Sequence, residues 1–449
     1  MAANRGWYNS GLCICRPEVA ATMMPHDSQG AASMPENAGQ TIKDFIPVLI
    51  GGDQNCYSVA RAIHEAYGKE SYVFGRFAAG DTKYSRIVHC SYNPELSDPD
   101  VLTETINEFA AKHAGTTCLV WGCTDGYAAL LMEIQGRLRE NCTTLYIDAD
   151  LRDKLVSKAS FYQMCEQYGI PYPKTFYADA PLPPSALTEE ALGFSYPIIV
   201  KPSMSETYWE HPFDGMKKVY TAADPQEASD ILSLIFSAGY DDTMLLQDMV
   251  PGADSGMRVL TGYSDRNNKV KMMCFGRVGL EEHTATALGN PCAIITEPNE
   301  ELQNTIKAWL EEIGFTGFSN FDIKYDPRDG SYKVFEINLR QGRSNYYVTG
   351  SGNNIARYVV EDRINHRDLG ECVMNNTEHF FHSVPAQVVY DYVEDPEFVA
   401  RARRLAAEGR ESVPFEYGPD LRFNPLRWLY VKIHMRRYFD KFAHSEKYR

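Results

Sequence analysis

The amino-acid sequence predicts an α/β chain: a parallel, doubly wound first part, a second part of mixed α+β character, and a helical end. Three observations carry this reading. Apolar strands are followed by glycine turns and helical stretches between residues 44 and 150. Later strands alternate polar and apolar residues, and a turn rich in Pro and Gly joins the last two of them. At 449 residues, 44% hydrophobic and 23% charged, the chain can bury a sizeable core, and its length suits about three domains of roughly 150 residues.

Residues 1–43 have neither helical nor strand period and read as a flexible arm. Strand 46–50 then runs into Gly51-Gly52-Asp53 and a helix over 58–67. The same order recurs in strand 118–122 with helix 127–138, and Leu145-Tyr146-Ile147 reads as one more short strand. Residues 44–150 therefore form the first domain. Its Gly51-Gly52 turn lacks the full G-x-G-x-x-G of a dinucleotide cradle and reads as a simple turn. A helix over 153–168 ends at Gly169 and Pro171. Strand 196–202 is nearly all apolar yet ends in Lys201; taken alone, that lysine reads as one snorkelling at a sheet rim. Strand 244–250 enters the Pro251-Gly252 hinge, and strands 257–263 and 270–278 follow.

Strands 318–325 and 332–338 flank the turn Asp326-Pro327-Arg328-Asp329-Gly330. Period two puts Glu336, Asn338 and Arg340 on one face, and folding about the turn brings Asp322 close to Glu336. Two carboxylates and an amide oxygen suit a hard divalent ion such as Mg²⁺, and Arg340 is placed to grip phosphoryl or carboxylate oxygens. A solvated strand face would show the same alternation. The combination with Lys158, Lys201 and the Pro-Gly hinge, in that order, favours a site.

On those residues, positions 44 to about 360 resemble the ATP-grasp superfamily. The resemblance implies an ATP-grasp fold behind a pre-ATP-grasp domain, with an ATP-grasp domain over 151–360. Its nucleotide-covering lobe would span about 155–247 and its metal-binding lobe about 248–360, leaving 361–449 as a mostly helical extension. Lys158 (with Lys154 as alternative) and Lys201 resemble the lysines on the nucleotide phosphates. Gln247, Asp248 and Val250 lie in the segment resembling the adenine linker, and Asp254 resembles the acid on the ribose. Asp322, Glu336 and Asn338 resemble ligands of Mg²⁺, for which Mn²⁺ could substitute, and Arg340 resembles the arginine that steadies the transferred phosphate. The family often carries a glycine-rich flap here; only Gly215 stands in 203–215, which implies a heavier lid with Trp209 and His211.

Within the superfamily, the stretches 208–220 and 338–347 resemble carboxylate-amine ligases of the D-aspartate ligase type. That implies phosphorylation of an amino-acid carboxylate by ATP and capture of the acyl phosphate by an amine, with a nucleotide-linked muropeptide as the implied acceptor. For the second carboxylate of such an acid, Arg343, Arg277, Arg258, His283 and Lys218 are candidates. Another amino-acid or dipeptide ligase of metabolism and a nonenzymatic nucleotide-binding regulator remain as alternatives; retention of Asp322, Glu336 and Asn338 together argues against the regulator. The sequence does not fix an oligomeric state.

The 44 Lys and Arg against 60 Asp and Glu leave a formal charge of −16, which argues against a nucleic-acid partner. No run approaches the roughly 18 apolar residues of a membrane span, and Arg16, Pro17 and Glu18 cut short any secretory signal, so a cytoplasmic location is expected. The 11 cysteines, an odd number, read as reduced thiols, and Cys13 with Cys15 lacks the further ligands of a zinc site. Residues 422–449 hold eight Lys or Arg against two acids, and Leu426, Leu429, Tyr430, Ile433 and Phe442 recur near helical spacing. The segment reads either as a helix packed on the body with a charged outer face or as a weak contact with an anionic membrane surface.

Overall fold

In the computed structural model, residues 42–283 and 287–445 are described. Most of the expected arm, with Cys13 and Cys15, lies outside them.

Three sheets organise the described chain. The first is parallel, in the order β3-β2-β1-β4-β5, built from β1 (Phe45–Ile50), β2 (Ser71–Gly75), β3 (Val88–Tyr92), β4 (Thr117–Gly122) and β5 (Cys142–Thr143). Helices α1 (Gln54–Tyr67), α2 (Pro99–Lys112) and α3 (Asp125–Ile134) cover it. β1 is central, so both its faces need apolar side chains, and Val48, Leu49 and Ile50 are fully buried. Asp53 caps α1, its carboxylate accepting from Cys56 N at 3.1 Å, and Gly68 ends the helix in the left-handed region at φ 64°.

Two expectations need correction here. Leu145-Tyr146-Ile147 forms no strand. Tyr146 Oη instead accepts from Gly122 N at 2.6 Å, and the Leu145 carbonyl abuts Gly317, where a Cβ would collide with it. The single helix expected over 153–168 is two, α4 (Ala149–Val156) and α5 (Lys158–Tyr168). Ser157 breaks it: its backbone is extended, and its hydroxyl accepts from Ser160 N at 3.3 Å to cap α5.

The second sheet is antiparallel, in the order β6-β9-β7-β8: β6 (Thr175–Ala178), β7 (Ile198–Pro202), β8 (Tyr220–Ala222) and β9 (Met244–Asp248). It packs its own apolar cluster beneath α8 (Pro225–Ser237), with the short helices α6 (Glu189–Leu192) and α7 (Ser205–Trp209) at its margins. Ile198 and Val200 point into that cluster, so Lys201 emerges on the opposite face of β7.

The third sheet has eight strands, in the order β14-β13-β10-β11-β12-β16-β17: β10 (Met257–Ser264), β11 (Val270–Glu282), β12 (Asn290–Thr296), β13 (Gly317–Asp326), β14 (Ser331–Asn338), β16 (Phe380–His382) and β17 (Glu411–Ser412). β15 (Val373–Met374) pairs with β11, so the sheet continues past residue 360 into the stretch expected to be mostly helical. Its helices are α9 (Glu300–Glu312), α10 (Tyr346–Gly350), α11 (Ile355–Val359), α12 (Ala386–Tyr392), α13 (Pro396–Ala407), α14 (Gly418–Leu421) and α15 (Pro425–Ala443).

Of the apolar set read in the sequence, α15 turns only Phe442 inward as a fully buried residue. Arg427, Val431, Met435, Tyr438 and Phe442 are buried, whereas Leu426, Leu429 and Ile433 are exposed. The register is set by Arg427, whose guanidinium is fully buried against Asp420. Among the described residues all nine cysteines are free thiols, and no helix is long and apolar enough to cross a membrane.

Candidate active site

The hairpin of β13 and β14 supplies the acidic part of the site. Its register pairs Asp322 with Glu336 and Asn320 with Asn338, and a bulge follows Asp322. Asn338 Nδ2 donates to Asp322 Oδ2 at 3.2 Å and to the Asn320 carbonyl at 3.3 Å. Burial raises the Asp322 carboxyl well above the usual range, and the like charge of Glu336 adds to it. Burial would raise Glu336 too, but the ammonium groups of Lys158, Lys218 and Lys201 outweigh it and hold that carboxyl low. Two crowded carboxylates with an adjacent amide form an oxygen-only donor set that suits a hard divalent cation.

Three lysines face this pair. Lys158 opens α5, with Nζ 3.6 Å from Glu336 Oε2. Ser203, just beyond β7, fixes that helix start: its carbonyl accepts from Lys158 N at 3.3 Å and its hydroxyl from Ala159 N at 3.2 Å. The break at Ser157 thereby ties Lys158 to the strand that carries Lys201. Lys201 Nζ donates to Tyr162 Oη at 3.0 Å, and Tyr162 donates to the Phe335 carbonyl at 2.7 Å, beside Glu336. Burial lowers the Lys201 ammonium to about 8, with Glu336 opposing and Lys218 reinforcing the shift.

Lys158, Lys201, Lys218, Arg258, Asp322 and Glu336 line a cavity of about 300 Å³. A second, of about 160 Å³, lies between α3, α4 and the end of β14 and is lined by Asp125, Arg152, Lys158, Glu336, Asn338 and Arg340. The two share Lys158 and Glu336. Arg340 Nη2 donates to Asp125 Oδ2 at 2.6 Å, while its Nε is buried without a hydrogen-bond partner among the described residues. Its loop is held by amides: Gln341 donates to Asn55 Oδ1 at 2.9 Å and accepts from Trp121 Nε1 at 2.8 Å, and Asn345 Nδ2 reaches the same Asn55 oxygen.

The other expected residues are placed unevenly. Gln247 is buried and donates to Thr175 Oγ1 at 2.8 Å, Val250 is buried, and Asp248 receives both Nη atoms of Arg328 at 2.9 and 2.6 Å. Asp254 accepts from Glu281 N at 3.1 Å and lies 2.7 Å from His283 Nε2. Arg277 is paired with Asp395, and Arg258 lies 3.2 Å from Glu297 while also lining the larger cavity. Arg277, His283 and Arg343 line neither of the two cavities. Trp209 of the expected lid is about half exposed. The Gly51-Gly52 turn lines a third cavity, of about 290 Å³, with Thr124 and Tyr127 in the crevice between the ends of β1 and β4. Sequence reasoning missed Asp125, Arg152, Asn55 and Gln341. Asp125, Asn55 and Gln341 have partners distant in the chain, whereas Arg152 pairs with its neighbour Asp153 at 2.7 Å; the one local signal was the pair of helix caps, Thr124 before α3 and Asp148 before α4.

The chain is 38% identical over 407 residues to D-aspartate ligase of Enterococcus faecium (strain Aus0004), covering 89% of this chain and 96% of that protein. Among solved structures, N5-carboxyaminoimidazole synthetase from Staphylococcus aureus superposes with a TM-score of 0.55 at 13% identity, over 80% of this chain and 88% of that one. The biotin carboxylase domain of Hydrogenobacter thermophilus 2-oxoglutarate carboxylase gives 0.54 at 12% identity, over 74% and 72%. At such identities these two bear on the fold alone, which is the ATP-grasp fold. No family model matches the sequence.

Proposed function

Since the chain belongs to the D-aspartate ligase family, and so to the ATP-dependent carboxylate-amine ligases, we propose that its acid substrate is D-aspartate and its acceptor the side-chain amine of a nucleotide-linked muropeptide. The observation that carries the reading is the junction of two cavities at Lys158 and Glu336, one rich in lysine and one bearing Arg152 and Arg340.

In this reading the lysine-rich cavity takes the triphosphate. Lys158, Lys201 and Lys218 neutralise its oxygens, with Gln247 to Val250 at the base and Asp254 at the ribose. Asp322, Glu336 and Asn338 would hold Mg²⁺ or Mn²⁺, which supplies further positive charge to the phosphoryl oxygens. The smaller cavity takes the amino acid. Its apolar wall includes Ala128 and Leu155, Arg152 and Arg340 match two carboxylates, and Asp125 matches an ammonium. Arg340, with an unpartnered Nε, faces the carboxylate that attacks the terminal phosphorus. The bond from that phosphorus to ADP breaks as the acyl phosphate forms. The amine then attacks the acyl carbon, loses a proton and expels inorganic phosphate. Charge stabilisation and positioning suffice, so no protein nucleophile is needed.

The deciding experiment is ADP release from Mg²⁺-ATP with D-Asp, L-Asp, D-Ala or D-Glu, each with and without a lysine-containing nucleotide-linked precursor, followed by product mass. Turnover needing D-Asp and precursor together is expected; turnover with another acid alone would discard the assignment. Arg152→Ala should raise the KM for D-Asp by about tenfold or more while leaving that for ATP unchanged, since a hydrogen bond to a charged group contributes about 1.5–3 kcal/mol. An unchanged KM would remove Arg152 from the pocket. Lys201→Ala should weaken ATP binding by about tenfold in calorimetry; unaltered affinity would take Lys201 out of the phosphate site.

A further inference from the structure

We propose that α15 docks the protein on the surface of an anionic lipid bilayer through the face it turns away from the core. The inward face is accounted for. Arg427, Val431, Met435, Tyr438 and Phe442 follow one another at spacings of four, four, three and four and are buried. Arg427 locks the rotation of the helix: Nε donates to Asp420 at 3.1 Å, Nη1 donates to the Lys83 carbonyl at 2.9 Å, and the guanidinium lies 4.4 Å from the centre of the Tyr57 ring.

The opposite face of a surface helix is ordinarily polar. Here it carries Leu426, Leu429 and Ile433, which are 60%, 51% and 47% exposed, a set spaced at i, i+3 and i+7. Phe423, 79% exposed, precedes it, and Trp428 and Phe439 lie at its margin. The helix therefore has two apolar faces, only one of which is covered among the described residues. Arg422, Lys432, Arg436 and Arg437 are also exposed, and the one acid within the helix is Asp440. Lys432 has a half-exposed partner, Glu416, at 3.9 Å.

Charge chooses among occupants. The chain as a whole carries −16, yet this face is cationic, so its complement is an acidic surface. A second copy would set Lys432, Arg436 and Arg437 against their own counterparts. Residues 1–41 hold two arginines against three acids and offer little complementary charge. A sheet of lipid phosphates over an acyl boundary meets both features at once: the cations reach headgroup oxygens while Leu, Ile, Phe and Trp enter the interface.

Co-sedimentation of the full chain with vesicles tests this. Binding is expected to vesicles containing about one-third phosphatidylglycerol and not to pure phosphatidylcholine, and it should fall steeply with salt. Lys432→Glu with Arg436→Glu should lower the partition coefficient about tenfold or more, since each cation near the surface accounts for roughly fivefold. Leu426→Ser, Leu429→Ser and Ile433→Ser together should do the same, with ATP-dependent turnover of soluble substrates and the melting temperature unchanged in both variants. Equal binding to both vesicle types, no binding to either, or binding that survives both variants overturns the proposal. So does a concentration-dependent dimer that the serine variant dissociates while vesicles stay bare.

Discussion

Glu336→Gln is expected to lower the turnover number for ADP release by about three orders of magnitude while the melting curve and the circular dichroism spectrum stay those of the parent. Glu336 is where the two cavities meet, 3.6 Å from Lys158 and opposite Asp322 across β13 and β14. Glutamine keeps the shape and removes the charge. The carboxylate that balances three lysines is then gone, and so is one of two anionic donors for a cation; loss of a single preorganised electrostatic contact to a transition state costs about 10²–10³ in rate. ATP affinity should change far less than turnover, because Lys158, Lys201 and Lys218 remain. Parent rates in this variant would remove Glu336 from the site, and loss of the folded signal would show that its role is structural.

Asp420→Ala has the largest expected effect on stability, about 3–5 kcal/mol in equilibrium urea unfolding. Asp420 is fully buried and accepts from Tyr57 Oη and Arg86 N at 2.7 Å, Ser85 Oγ at 3.0 Å and Arg427 Nε at 3.1 Å. Removing it leaves the Arg427 guanidinium buried without its counter-charge, which is far costlier than losing an exposed ion pair. Combining it with Arg427→Met should restore part of the loss, because the stranded charge then disappears as well. A single-variant change below about 1 kcal/mol would contradict this account of the helix anchor.

The parts of the site legible in the sequence are those written along one strand. Glu336, Asn338 and Arg340 share a face by period two, and the Pro-Gly turn sets the register that brings Asp322 opposite Glu336. Lys201 taken alone read as a lysine at a sheet rim and became a candidate only in combination with Lys158, the Pro-Gly hinge and the hairpin. The Asp125–Arg340 pair and the Asn55–Gln341 amides were not visible, since they join residues 215 and 286 positions apart, and nothing local marks such partners. For α15 the apolar periodicity alone did not say which residues face the body, because a buried arginine looks like a surface residue until its carboxylate partner is seen. At Ser157 the helical pattern continues through a break made by the cap on Ser160 N and by the tie of α5 to Ser203.

The seam around Asp420 bears on how the chain is made. Tyr57 lies in α1, and the acceptor for its hydroxyl follows 363 residues later. At the usual translation rate of about 5–20 residues per second, that interval is roughly 20–70 s. For that time the parallel sheet and its helices can assemble on the ribosome, yet Tyr57 Oη, Ser85 Oγ and Arg86 N lack the carboxylate that satisfies all three in the finished protein. The parallel-sheet domain is thus completed by residues that lie more than 330 positions further along the chain. A nascent chain that terminates before α14 carries an amino-terminal half with its seam open, the kind of product that chaperones retain and proteases remove.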